Sequence, residues 1–155
     1  MNEKLAQGKY FEDFTVGDEY WTAARTITET DICFFAWFTG DNNAIHTDKE
    51  YAEKSIFGER IAHGLLGIAV AGGLLGRLGI YDETAVALLN TSWRFKAPIR
   101  IGNTVRCRIK TASKKETHHP DRGIVTAALT LFNQKGEVLE EGEVTEMVLR
   151  RPESK

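Results

Sequence analysis

The sequence predicts an α+β domain, with one apolar helix followed by a run of strands. Three observations carry that expectation. Residues 61–76, Ile-Ala-His-Gly-Leu-Leu-Gly-Ile-Ala-Val-Ala-Gly-Gly-Leu-Leu-Gly, are apolar nearly all round, as in a helix buried on most faces. A strand and two shorter helical segments precede this run, and four strand-like segments follow it. One of these, Thr104 to Lys110, alternates cleanly, with Val105, Cys107 and Ile109 on one face and Arg106, Arg108 and Lys110 on the other. That is the pattern of a half-buried antiparallel strand with one wet face.

The elements follow in order. Tyr10 to Asp18 reads as an extended lead-in ending in a turn at Gly17-Asp18. Glu19 to Ile27 is rich in aromatic, Thr and Ile residues and predicts a strand. Thr28 is a good N-cap, and Asp31 stands where a capping acid would bond back. A helix from Glu29 to Phe38 should bury its aromatic residues. Thr47-Asp-Lys-Glu50 reads as a capping box for a second helix, about Asp48 to Lys54. Gly64, Gly67, Gly72, Gly73 and Gly76 lower helix propensity in the central run, so close approach of a sheet is expected there. The later strands are Ala85–Lys96, Thr104–Lys110, Gly123–Asn133 and Glu137–Leu149, the last with Glu140, Glu141, Glu143 and Glu146 on a solvated face.

The 155 residues suit a single domain, residues 1–155, with 1–8 and 150–155 as frayed ends. Hydrophobic residues make up 42%, enough for a core. A net charge of −2 without a basic run argues against a nucleic-acid surface. Cys33 and Cys107 lie in apolar-patterned segments without a CxxC partner, which predicts buried thiols and a reducing compartment, the cytoplasm. The first residues lack the apolar segment of a signal peptide, and the apolar run near 65–75 is too short to span a membrane. No P-loop and no GxGxxG after a strand is present, so no nucleotide cofactor is expected.

One loop stands out, Phe38-Thr-Gly-Asp-Asn-Asn-Ala-Ile-His46. Gly40 permits a sharp bend, and Asp41, Asn42 and Asn43 favour turns through their own side chains. Asp41 and His46 therefore sit where one helix ends and the next begins, and an Asp and a His aimed at one point can hold and activate a water. This loop resembles the signature of the MaoC-like, (R)-specific enoyl-CoA hydratase family: an aromatic residue, a short spacer, Gly-Asp-x-Asn-Pro, an aliphatic residue and His, with a small residue shortly after, here Ala52. Ala44 departs from the pattern, standing where the family has Pro; this loosens the backbone but removes no chemical group. Ile61-Ala-His-Gly64, Phe95-Lys-Ala-Pro98 and Gly102-Asn-Thr-Val105 extend the resemblance, which covers about residues 9 to 149.

The resemblance implies the hot-dog fold, a sheet wrapped round a helical sausage, and a homodimer or dimer-based oligomer formed by pairing two such sheets edge to edge. It implies hydration of a 2-enoyl-CoA thioester to the (R)-3-hydroxyacyl product, or the reverse dehydration, with Asp41 and His46 holding the catalytic water. Coenzyme A then enters only as part of the substrate. The Gly64 N–H, at a helix N-terminus, is expected to stabilise charge on the thioester oxygen, close helix–sheet packing being its other reading. Asn43 either touches substrate or shapes the loop, and His63 is expected to make a structural hydrogen bond. Arg60, Arg77, Arg94, Lys96 and Arg100 are possible partners for the coenzyme A phosphates. No metal is expected: Asp41 and His46 have no third ligand at a motif spacing, and the exposed pair His118-His119 offers two ligands. The alternatives are a hot-dog thioesterase, disfavoured because those enzymes lack the Gly-Asp-x-Asn…His loop, and a non-catalytic acyl-thioester binder or structural subunit, which has no need of an Asp/His pair.

Overall fold

The computed structural model describes residues 8–152. A short 3-10 turn, Phe11–Asp13, replaces the extended lead-in. The expected first strand is split into β1 (Glu19–Trp21) and β2 (Arg25–Thr26), both antiparallel to β4 (Thr104–Lys115). Trp21 pairs with Arg108 and Arg25 with Val105, so one segment advances four residues while its partner advances three. The extra residue makes a break of the bulge type, anchored where the Thr22 hydroxyl accepts the Cys107 N–H at 2.9 Å.

Helix α1 (Glu29–Thr39) starts at the capping box read from the sequence. The Thr28 N–H donates to Asp31 Oδ2 at 2.8 Å, and the Thr28 hydroxyl accepts the Asp31 N–H. It ends on Gly40 at φ 78°, a conformation that glycine adopts without strain. Ile32 and Ala36 face the core and Phe35 packs against it, but Trp37 is 75% and Phe38 71% exposed, and Phe34 is also exposed. The helix therefore buries one stripe, and most of its aromatic residues lie on the outer face. Cys33 falls on that outer side and is exposed, unlike Cys107, whose thiol burial pushes up to about 12. Two short helices follow, α2 (Ala44–Thr47) and α3 (Lys49–Glu53). The cap of α3 is Asp48, whose side chain accepts the Tyr51 N–H, one residue later than the Thr47 box predicts. Thr47 instead closes α2, donating to the carbonyls of Asn42 and Asn43.

Helix α4 (Gly64–Gly76) is the central helix. It buries Leu66, Gly67, Val70, Ala71, Leu74 and Leu75 as one stripe against the sheet, rather than most of its circumference. Only part of the glycine expectation holds: a Cβ on Gly64 would meet the Phe95 ring at 2.6 Å, and one on Gly67 would overlap the Glu140 carboxylate. Gly72, Gly73 and Gly76 face open space.

Strands β3 (Ala85–Phe95), β5 (Arg122–Phe132) and β6 (Val138–Leu149) complete an antiparallel sheet in the order β1-β4-β5-β6-β3. Its inner face presents Val105, Cys107 and Ile109 of β4 and Ala127, Leu129 and Leu131 of β5 to α4, the apolar burial that holds the layers together. Phe11 and Phe14 pack on Val125 and Val148 at one end. The C-terminal segment is tied down: Arg150 N–H donates to Asp121 at 2.8 Å, and the Arg151 guanidinium holds Asp13 at 2.7 Å. Residues 150 and 151 are thus not frayed, and the N-terminal Gly8 is buried against Asp82. The expectation for residues 1–7 and 153–155 lies outside the described residues. No described helix is long and apolar enough to cross a membrane.

Among the described residues, strand β3 pairs only with β6, and Val86, Leu88 (62% exposed) and Leu89 are uncovered on it. An edge that is long and apolar is a template for pairing with another chain. Sedimentation at micromolar concentration is expected to give twice the chain mass or a multiple of it, and Leu88→Lys to shift the population toward monomer. A monomeric wild-type protein would contradict this reading.

Candidate active site

Three hydrogen bonds dock the 41–46 loop onto the segment leading into α4. The Ile61 N–H donates to Ile45 O at 3.4 Å, His46 Nδ1 contacts Ile61 O at 2.8 Å, and His63 Nε2 contacts Asp41 O at 2.9 Å. Carbonyls only accept, so both ring nitrogens carry the proton in these contacts. Within the loop, Asp41 Oδ1 accepts the Asn43 N–H, and Asn43 Oδ1 accepts the Ile45 N–H as the cap of α2. The Asn43 side chain thus shapes the loop, the blander of its two readings.

This docking brings Asp41, His46 and His63 together, with one polar side-chain atom of each within 4.8 Å of the others. Asp41 is exposed, His46 half-buried and His63 only 2% exposed. The His63 ring stacks on His46 with centroids 3.8 Å apart and meets Phe35 at 4.9 Å with the rings tilted by 48°. Its structural hydrogen bond to the loop is as expected, whereas its place against His46 is not, because 17 positions separate the two in sequence. His63 is also the third group that the spacing argument did not find. Its Nε2 is already engaged by Asp41 O, and its Nδ1 is buried without a hydrogen-bond partner.

His46 titrates below its ordinary value. Desolvation is the largest cause, His63 adds to it, and the Ile61 carbonyl and the Asp41 charge oppose it. The imidazole is therefore neutral near pH 7, with its proton held on Nδ1 and a lone pair left on Nε2.

His46 lines a cavity of about 540 Å³ together with Phe57, Ile61, Gly64, Leu65, Phe95 and Glu140. Gly64 is the first residue of α4, so its N–H has no intrahelical acceptor and sits at the positive end of the helix. Of the five cations named from sequence, Lys96 lines this cavity. Arg60 pairs with Glu29, Arg100 with Glu59, and Arg77 and Arg94 line other surfaces. Sequence reasoning missed Glu140, which is 2% exposed and not on a solvated face. Burial pushes its carboxyl up to about 7, although the Trp93 indole N–H, donating at 2.8 Å, works the other way.

A family model for the MaoC like domain matches residues 13–131. The chain belongs to the MaoC-like family. It is 37% identical over 143 residues to an (R)-specific enoyl-CoA hydratase of Rhodospirillum rubrum, covering 92% of this chain and 93% of the relative. The crystal structure of a MaoC-like dehydratase from Rhodospirillum rubrum superposes with a TM-score of 0.83 at 30% identity, covering 94% of this chain and 99% of that one. A Mycobacterium tuberculosis protein with a double hotdog fold superposes at TM-score 0.82 and 18% identity, covering 96% of this chain and 46% of that one. The MaoC-like chain has the hot-dog architecture that the loop motif implied.

The charge state of His46 sets a pH dependence. Protonation removes the Nε2 lone pair, so activity should fall as pH drops through a pKa below 6.5. A pH profile of kcat/KM is expected to show its acid limb below pH 6.5 and to lose it in His46→Gln. A limb clearly above 6.5 would contradict the environment described.

Proposed function

We propose that the chain is a hydro-lyase, adding water to a 2-enoyl-CoA thioester to give the (R)-3-hydroxyacyl-CoA or removing it in reverse. The observation that carries this reading is convergence: the Asp41/His46 pair adjoins a cavity that also holds the Gly64 N–H. The names of the Rhodospirillum rubrum relatives, a hydratase and a dehydratase, support both directions of one reaction.

The groups fit the steps. A water held between Asp41 and His46 loses a proton to His46 Nε2 as its oxygen bonds to the β-carbon. The carbon–carbon double bond electrons move toward the thioester carbonyl, whose developing negative charge is met by the Gly64 N–H. Proton return to the α-carbon on the same face completes the addition. The Asp41 charge stabilises the imidazolium formed in between. Asn43 contributes by fixing the loop, with its side-chain amide as a further substrate contact. Coenzyme A enters with the substrate, with Lys96 as a candidate partner for its phosphates. Two free cysteines, one exposed, favour a reducing compartment such as the cytoplasm.

Asp41→Asn and His46→Gln should each lower turnover of crotonyl-CoA by at least ~10²-fold, with little change in melting temperature. The double variant should be barely worse than the worse single one, because groups acting as a unit are not additive. A folded single variant keeping more than about a tenth of wild-type turnover would remove that residue from the mechanism.

The reading needs no metal. Prolonged EDTA treatment should leave the rate of crotonyl-CoA hydration unchanged. Loss of activity that zinc restores would instead make Asp41, His46 and His63 a metal centre.

A further inference from the structure

Glu140 is an ionisable group on the wall of an otherwise largely apolar cavity. It sits on β6 opposite Phe95 of β3 and Leu131 of β5. Trp93 reaches it from β3 across Gly142, where any side chain would strike the indole ring. Gly67 reaches it from α4, where any side chain would overlap the carboxylate. Gly64 and Gly67 thus make room one turn apart, the first for a thioester carbonyl and the second for a carboxyl group.

The Trp93 N–H supplies one hydrogen bond, to Oε2, and a carboxylate has about four acceptor sites. No neighbouring cation offsets its burial, since Lys96 in the same lining pairs with Glu141 at 2.9 Å. Apart from an acceptor for the Trp93 N–H, the surrounding strands and helix bury apolar side chains here.

We propose that Glu140 is a specificity residue, selecting a short 2-enoyl thioester whose acyl chain carries a hydroxyl group that hydrogen-bonds the Glu140 carboxyl. This rests on the hydro-lyase reading. A hydroxyl both donates and accepts, so it satisfies Glu140 in either protonation state, which suits a group that titrates near neutrality. An alkyl terminus leaves the buried oxygens unpaired, an ionised acid repels them, and an ammonium must be desolvated among Phe57, Ile61, Leu65 and Ile99. Gly67 is about 4.5 Å along the helix from Gly64, which places the hydroxyl on the fourth or fifth carbon of the chain.

The test compares kcat/KM for 4-hydroxybut-2-enoyl-CoA against pent-2-enoyl-CoA, and for 5-hydroxypent-2-enoyl-CoA against hex-2-enoyl-CoA. The wild type is expected to favour one hydroxylated substrate by about tenfold or more. Glu140→Met, of similar size, is expected to reverse that preference, and Glu140→Gln to narrow it. Equal kcat/KM for both pairs in the wild type overturns the proposal, and so does a ratio unchanged in a folded Met variant. Should neither variant fold, the wild-type ratio decides. Calorimetry with the saturated 4-hydroxybutanoyl-CoA and pentanoyl-CoA separates the two readings. A binding preference without turnover of any enoyl thioester keeps the Glu140 assignment and sinks the hydro-lyase reading. Turnover with no preference in rate or binding does the reverse.

Discussion

The site depends on how the 41–46 loop is held against residues 61–63. Neither segment is regular structure throughout, so each must place its backbone polar groups somewhere. They place several of them on each other, through Ile61 to Ile45, His46 to Ile61 and His63 to Asp41. The acceptor His46 uses lies three residues before the first residue of α4. The same contact that fixes the imidazole therefore fixes it relative to the Gly64 N–H. In the proposed reaction, the base and the oxyanion donor would come from different elements yet share one frame, as reaction geometry requires.

The frame also sets the chemistry of His46. A histidine near a carboxylate in water would be pushed toward its charged form. Here burial and the stacked His63 win, and the ring is neutral at the pH where a base must accept a proton. His63 is the quiet partner, buried between Phe35 and His46, with its one hydrogen bond spent on the loop. Its contribution is to hold Asp41 in place and to keep water from one face of the His46 ring.

Much of this was legible in the sequence, and the exceptions have physical causes. Three of the four late strands end within a residue of expectation because each carries β-forming residues between turn signals, while β4 runs on from Lys110 to Lys115. The Thr28/Asp31 cap is local and was read correctly. The Asp48 cap was misplaced by one residue because Thr47 and Asp48 are both good caps, and tertiary docking gave Thr47 to α2. The exposure of Phe34, Trp37 and Phe38 could not be read, since their apolarity says nothing of whether another surface covers them. His63 entered the site through space. Glu140 did leave a signal: it is in phase with Val144 and Val148, which are buried, and with Glu146, whose partial burial also raises its pKa. Four acids in one strand looked like a wet face, and that composition masked the period of two.

The uncovered surfaces and the cavity meet on one strand. β3 is the open edge of the sheet, and its last residue, Phe95, both packs over Gly64 and lines the cavity, with Lys96 directly after it. A second chain pairing along β3 would fix the backbone that carries Phe95, and with it the ring that borders the oxyanion position. Among the described residues, no side chain lies within 4 Å of where a Cβ would stand on Gly72, Gly73 and Gly76, a face of α4 that would let another surface approach closely. Assembly would then do more than hide apolar residues: it would set the width of the cavity beside His46 in which the proposed thioester would lie.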